Sequence, residues 1–235
     1  MINADPVLLL LPGLDGTGRL FGPFLACVAG FEARVVSYPP DRHLSIDELA
    51  DLVQGLLPRS GPLVLVAESF SGRVALELVL RERSRVAAVV LVASFASNPT
   101  SLPSSVAAMV PDLMFSPAPP GWLLRRLLIG ADAPEDLITE LGAAIRAVAP
   151  PVLAGRLREV LTRPAPPAGV LAGVEITYIR GTRDALVGKR GLESVRDTGA
   201  VVTVVDVDAP HLVLQREPSV AWECVRKILM SAPSS

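Results

Sequence analysis

The residues of this sequence best suited to covalent chemistry are one serine, one histidine and one aspartate. Ser69 lies in the segment Ala-Glu-Ser-Phe-Ser-Gly at positions 67–72, between an apolar run and a helical pattern. Asp184 follows a later apolar run, and His211 follows the last one. A serine hydroxyl becomes a good nucleophile when a base accepts its proton and a carboxylate orients that base. The three residue types therefore predict attack on an acyl carbonyl, provided that the fold brings them together.

Six short apolar runs, separated by helical patterns, must position these residues. The runs are nearly continuous in Val and Leu, which is typical of strands buried on both faces of a parallel sheet. The predicted strands are Val7–Leu11, Arg34–Ser37, Leu63–Ala67, Val86–Ala93, Ile176–Arg180 and Val201–Val205. The predicted helices are Leu49–Leu57 after a capping box that starts at Ser45, Ser71–Arg83 and Val220–Met230. This alternation predicts an α/β fold with a doubly wound parallel sheet of about six strands.

Residues 98–173 break the alternation and predict a helical lid, inserted into a core formed by residues 1–97 and 174–235. The segment has no convincing strand, and proline-rich stretches bracket helical patterns at Trp122–Leu128, Pro134–Val148 and Val152–Leu161. Its apolar side chains either line an acyl pocket or only pack the lid onto the sheet. These side chains are Leu102, Val106, Met109, Leu113, Met114, Phe115, Trp122 and Leu123. We take Met109, Met114, Phe115 and Trp122 as candidate substrate-binding residues.

The segment around Ser69 resembles the nucleophile elbow of α/β-hydrolases, Gly-x-Ser-x-Gly, with Ala67 and Ser71 in place of the two glycines. Small residues are needed there because the turn brings strand and helix into close contact. The chain order Ser–Asp–His is also that of the α/β-hydrolases. The resemblance implies that Ser69 is the nucleophile, His211 the general base and Asp184 the residue that orients the base.

A glycine-rich loop at positions 11–18, Leu-Pro-Gly-Leu-Asp-Gly-Thr-Gly, follows the first predicted strand. Its spacing is Gly-x-x-Gly-x-Gly, which matches neither the dinucleotide fingerprint nor the Walker phosphate loop. In the family that the chain resembles, this loop supplies an oxyanion-hole N–H, which implies Leu14 as one donor and Phe70 as the second. Family members often begin with two further strands, so the resemblance implies a shortened sheet that lacks them.

The resemblance implies a serine esterase that cleaves carboxylic esters or thioesters of small to medium apolar acyl groups, with no metal or organic cofactor. An acyltransferase with the same three residues stays open, because residues 11–18 also resemble those of plastid phytyl ester synthases. A lyase, a cofactor-free haloperoxidase and a non-catalytic binding protein stay open too, since one fold hosts many functions. Glu68, beside the nucleophile, is expected to be buried and hydrogen-bonded.

The composition argues against several other classes of protein. A net charge of −2 gives no reason to expect nucleic acid or an anionic membrane as a partner. The two cysteines, Cys27 and Cys224, are predicted to be buried free thiols of a reducing compartment. The longest apolar stretch, Val86–Ala93, is far shorter than the ~20 residues of a spanning helix, and the N-terminus lacks the basic region of a signal peptide. We expect a cytoplasmic protein that acts on a small-molecule ester, with its oligomeric state open.

Overall fold

A six-stranded parallel sheet lies at the centre of the computed structural model, which describes residues 6–100, 103–107, 109–116 and 118–231. Leu102, one of the predicted lid residues, lies outside these ranges. The strands are β1 (Val7–Leu11), β2 (Ala33–Val35), β3 (Leu63–Glu68), β4 (Val86–Val92), β5 (Glu175–Gly181) and β6 (Val201–Val207). Their order in the sheet is β2-β1-β3-β4-β5-β6, and all neighbours are parallel. The six predicted strands are confirmed, with small differences at their ends.

Helices cover both faces of this sheet. The α-helices of the described residues are α1 (Gly22–Leu25), α2 (Ile46–Leu56), α3 (Ser71–Arg81), α4 (Ser104–Ala107), α5 (Gly121–Leu124), α6 (Glu135–Arg146), α7 (Pro150–Thr162), α8 (Gly188–Arg196), α9 (Val213–Arg216) and α10 (Pro218–Ser231). Apolar side chains of α2, α3 and α8 pack on one face of the sheet, and those of α1, α9 and α10 pack on the other. The predicted capping box is present at the start of α2, where Ser45 and Glu48 each bind the other's backbone N–H.

The central strands contribute to both cores, because successive side chains of a strand point to opposite faces. Leu9 and Leu11 of β1 lie in one core, whereas Leu8 and Leu10 lie in the other. The predicted burial on both faces is wrong for the edge strands β2 and β6, where Val201, for example, is 58% exposed. An edge strand has a neighbouring strand on one side only, so more of its surface is exposed to solvent. The apolar run in the sequence does not show which strands lie at the edge of the sheet or which strands the helices cover.

The segment between β4 and β5 contains α4 to α7 and, among its described residues, no strand. After α5 the chain continues as a π-helix, Arg125–Ile129. Apolar side chains of α5, the π-helix and α6 pack against Leu20 and Leu212 of the core. The N–H of Leu212 donates to the carbonyl of Leu128 over 2.9 Å. The inserted helices therefore pack against the chain that follows β1 and β6, at the carboxyl end of the sheet.

No helix in the described part of the chain is, by itself, long and apolar enough to span a membrane. Helices α6 and α7 meet the length and composition criteria only as a pair, and the pair is bent by 96°.

The two cysteines are free thiols at the edge of the core that contains α1 and α10. Cys27 and Cys224 are both partly exposed, so the prediction that they are buried is wrong. Each packs against this core from its outer side, where solvent reaches the side chain.

Candidate active site

Ser69 lies on a sharp turn between β3 and α3. Its φ is 50°, in the left-handed region that costs energy for any residue with a side chain. The N–H of Ser69 donates to the carbonyl of Val92 over 2.9 Å, and the Ser94 hydroxyl donates to the Ser69 carbonyl over 2.5 Å. Both bonds come from the chain at the end of β4. They hold the turn in place and leave Ser69 partly exposed at the carboxyl end of the sheet.

A continuous chain of hydrogen bonds joins Ser69, His211 and Asp184. The distance from His211 Nε2 to Ser69 Oγ is 2.9 Å, and that from His211 Nδ1 to Asp184 Oδ2 is also 2.9 Å. The second carboxylate oxygen, Oδ1, accepts from the N–H groups of Leu186 at 2.8 Å and Val187 at 3.1 Å. The side chains of His211 and Asp184 are each 2% exposed. The structure thus brings together the three residues that the sequence singled out, from the chain after β3, β5 and β6.

The surroundings of Asp184 favour its ionised form. Burial alone would raise the pKa of Asp184, but the hydrogen bond and charge interaction with His211 and the two backbone N–H groups lower it below its ordinary value. An ionised Asp184 accepts the Nδ1–H of His211, which leaves the lone pair of Nε2 facing Ser69 Oγ. In this tautomer His211 is placed to take the proton of the serine hydroxyl.

The two backbone amides implied as oxyanion donors lie in loops on either side of the serine. Leu14 follows β1, and Phe70 is the N-cap residue directly before α3. The first N–H groups of a helix have no intrahelical acceptor. Within the residues that the structure describes, neither of these two N–H groups donates a hydrogen bond. They are free to bind an acceptor from outside the chain, and their role as oxyanion donors stays a prediction.

Gly72, one position after the second glycine of the family motif, is in close contact with the chain after β4. A Cβ at Gly72 would overlap with the Oγ of Ser94, the hydroxyl that binds the Ser69 carbonyl. Ser71, where the family motif has glycine, is fully buried. Its hydroxyl contacts the Pro12 carbonyl and lies 2.7 Å from the hydroxyl of Tyr38. The serine therefore links the elbow to the glycine-rich loop, a contact that a glycine could not make.

Glu68 is buried and hydrogen-bonded, as expected, at 2% exposure. Its Oε2 accepts from Nε2 of Gln215 over 3.3 Å, and its Oε1 has no partner among the described residues. Burial raises the pKa of Glu68 to about 7; the charge of Asp15 acts in the same direction, and His211 and Gln215 act against it. The sequence did not reveal the contact between Gln215 and Glu68, because the two residues are far apart in the chain.

The four candidate substrate-binding residues lie in the insertion, and three of them are exposed. The exposed fractions of Met109, Met114 and Trp122 are 79%, 48% and 67%. Phe115 is partly buried and packs against a small apolar cluster at the end of α6 and the start of α7. Three surface cavities in the described chain, of about 540, 280 and 220 Å³, are lined by other residues. An acyl pocket formed by these four side chains stays a prediction.

The described residues contain no group of three or more His, Cys, Asp or Glu side chains that could hold a metal ion.

One buried arginine next to the site was missed from the sequence. Arg156 of α7 is 1% exposed and reaches the loop after β1. Its position in the sequence could have indicated its burial. Arg156 lies four residues from both Val152 and Val160, so it falls on the apolar face of the predicted helix. A charged residue on such a face must find buried partners, which the sequence does not identify.

A parallel sheet with a Ser–His–Asp hydrogen-bond chain on loops at its carboxyl end is the arrangement typical of the α/β-hydrolases. The family model of the alpha/beta hydrolases matches residues 8–221, and the chain belongs to this family. No curated protein is significantly similar to the chain in sequence.

Solved structures with similar folds include a hydrolase, an esterase and an enol-lactonase. A hydrolase from Oleispira antarctica has a TM-score of 0.80 at 13% identity, with 97% of this chain and 92% of that chain covered. A thermophilic esterase from Thermogutta terrifontis has a TM-score of 0.77 at 19% identity, covering 97% and 90%. An enol-lactonase from Burkholderia xenovorans has a TM-score of 0.73 at 20% identity, covering 97% and 92%. At these identities the likeness establishes the fold.

Proposed function

We propose that this protein is a serine hydrolase that cleaves carboxylic esters or thioesters through an acyl-enzyme. The observation that carries the proposal is the hydrogen-bond chain from Ser69 through His211 to Asp184, with 2.9 Å at both contacts of the imidazole. The strained backbone at Ser69 supports it, because such strain is typical of a nucleophile elbow.

In the proposed mechanism, His211 removes the proton of Ser69 as the serine oxygen attacks the acyl carbonyl. The carbonyl oxygen becomes an oxyanion that accepts the N–H groups of Leu14 and Phe70. His211 then gives its proton to the leaving alcohol or thiol, and the acyl group stays on Ser69. Water, deprotonated by the same imidazole, releases the acid and restores the serine. Asp184 stabilises the imidazolium in both steps.

The proposed substrates carry small to medium apolar acyl groups. The insertion exposes several large apolar side chains to solvent, namely Val106, Met109, Leu113, Met114 and Trp122. Exposed apolar side chains concentrated in one segment commonly mark a surface that receives an apolar ligand. The esterase and enol-lactonase named above act on ester bonds, which agrees with this substrate class.

The test is a comparison of native protein, Ser69→Ala and His211→Gln on p-nitrophenyl esters of increasing acyl length, together with labelling by a fluorophosphonate probe. We expect the native protein to label at Ser69 and to turn over esters, and both variants to lose turnover. His43→Gln is the matched control, since His43 is the only other histidine of the chain and is exposed.

Each outcome separates the alternatives. Labelling at Ser69 without hydrolysis would favour an acyltransferase, which is then tested by adding an alcohol or thiol acceptor. Equal loss of turnover in His211→Gln and His43→Gln would contradict the assignment of the base. A native protein that neither labels nor turns over any ester would refute the proposal and favour a non-catalytic protein.

A further inference from the structure

Arg156 of the inserted helix α7 binds the loop that carries Leu14. Its Nη1 donates to the carbonyls of Leu14 at 3.0 Å and Asp15 at 2.7 Å. Its Nη2 donates to the carbonyl of Pro39 at 2.9 Å. The guanidinium also lies over the ring of Tyr38, with 5.6 Å from Cζ to the ring centroid. One side chain of the insertion thus joins two loops of the core.

The fit of the loop around this guanidinium is close. Gly16 has a φ of +70°, and a Cβ at this position would lie 2.5 Å from Nη1 of Arg156. The carbonyl of Gly16 accepts from the N–H of Tyr38 over 2.7 Å, and the Asp15 carboxylate accepts from the N–H of Thr17 over 2.8 Å. The first of these bonds joins the loop to the segment after β2, and the second lies within the loop. Arg156 adds contacts from α7.

The contact matters for the proposed reaction because Arg156 binds the carbonyl of the residue whose N–H is the proposed oxyanion donor. The carbonyl of Leu14 binds Arg156, whereas its N–H has no acceptor among the described residues. The Leu14 N–H shares a peptide group with the Gly13 carbonyl, which accepts from the N–H of Gly16 over 3.0 Å. Arg156 binds the carbonyls of Leu14 and Asp15 inside the turn that this bond closes, so it holds the backbone that sets the direction of the Leu14 N–H. A donor aimed before the reaction begins stabilises a developing oxyanion without reorganisation.

The geometry points to Arg156 as a positioning residue for the oxyanion hole: the insertion, through this one side chain, sets the direction of the Leu14 N–H. The inference rests on the proposed hydrolase function and adds to it a residue outside the Ser–His–Asp chain. Arginine is required because two of its nitrogens bind two different loops at once, whereas lysine presents one nitrogen on a flexible stem.

The test compares Arg156→Met and Arg156→Lys with the control Arg158→Lys. Arg158 lies on the same helix and binds the Val110 carbonyl and Asp112. Thermal unfolding checks that each variant is folded, and Arg156→Lys carries the test if the methionine variant does not fold. We expect Arg156→Lys to lower kcat about 10- to 100-fold, below the ~10²–10³-fold cost of losing an oxyanion donor outright. KM should change less than kcat.

Two further measurements separate positioning from general damage to the fold. The first is the affinity for a trifluoromethyl ketone, to which Ser69 Oγ adds while its proton passes to His211 and the ketone oxygen becomes an oxyanion. The second is the affinity for the matching methyl ketone, which binds without addition. We expect Arg156→Lys to weaken only the first, by the same factor as kcat/KM. Amide hydrogen exchange at residues 13–18 should also become faster than in the native protein.

The outcomes are distinct. Native kcat and native exchange in Arg156→Lys would overturn the inference. An equal loss of affinity for both ketones, or the same effects in Arg158→Lys, would overturn it in favour of a purely structural role. A native protein without ester turnover and without affinity for the trifluoromethyl ketone would instead refute the proposed function itself.

Discussion

Replacing Glu68 with glutamine tests whether the carboxyl beside Ser69 is neutral in the folded protein. The glutamine has nearly the shape of the neutral acid but cannot ionise. Burial raises the pKa of Glu68 to about 7, and the charge of Asp15 adds to this rise. The interaction with His211 and the hydrogen bond from Gln215 lower the pKa but do not cancel the effect of burial. Its Oε1 has no partner among the described residues, which also favours the neutral form.

The size and the sign of the effect follow from the two pKa values. The ordinary value of 4.5 and the value of about 7 in the folded protein correspond to roughly 3 kcal/mol, at 1.36 kcal/mol per pKa unit. Below pH 4.5 the carboxyl is protonated in both the folded and the unfolded protein, so it does not change the free energy of unfolding with pH. As the pH rises from 4.5 to about 7, the unfolded chain releases this proton first, so the native protein loses stability. The glutamine variant does not have this loss.

The assay is urea denaturation of both proteins from pH 4.5 to pH 8.5, followed by tryptophan fluorescence. We expect the free energy of unfolding of Glu68→Gln, minus that of the native protein, to rise with pH and level off near pH 8, with a total rise of up to about 3 kcal/mol. Any constant offset from the changed hydrogen bonding cancels in this rise. Glu193→Gln, at an exposed site on α8, controls for the loss of one negative charge. A difference that stays the same across the pH range would refute the reasoning.

Two other substitutions test the parts of the site separately. Asp184→Asn should lower kcat about 10⁴-fold, because the amide no longer fixes the tautomer in which His211 Nε2 faces Ser69. Steady-state kinetics check this, and an activity within tenfold of native would contradict the role of Asp184. Gly72→Ala should lower the free energy of unfolding by about 1–3 kcal/mol, because its Cβ overlaps with Ser94 Oγ. Chemical denaturation measures this loss, and an unchanged stability would show that Ser94 can move away from the Ser69 carbonyl.

The strands and the loops of the Ser–His–Asp chain were predictable because their signals are local. Each strand is a short apolar run, and Ser69, Asp184 and His211 follow such runs by two, four and six residues. In a parallel sheet the carboxyl ends of all strands lie at the same end of the sheet. Residues that follow the strands can therefore be predicted to lie close together even when the positions of the helices are not known. The hydrogen bonds around His211 are the result.

The supporting contacts were not predictable, because they join residues that are far apart in the chain. Arg156 and Leu14 are 142 positions apart, and so is Ser69 from His211. The second pair was found because serine, histidine and aspartate form a recognisable set with a known order. The contact between Arg156 and Leu14 was missed because an arginine and a backbone carbonyl do not form a recognisable set in the sequence. The exposure of β2 and β6 was missed for a related reason, since it depends on which helices cover the sheet.

The helical segment between β4 and β5 takes part in the geometry of the candidate site. The carbonyl of Leu128 accepts from the N–H of Leu212, the residue next to His211. On the other side of the site, Arg156 binds the carbonyl of Leu14. The loop that carries His211 and the loop that carries Leu14 are therefore both bound by helices of this segment. Since the sheet alone aligns only the starting points of these loops, we expect the arrangement of the candidate site to depend on the sheet and on this segment together.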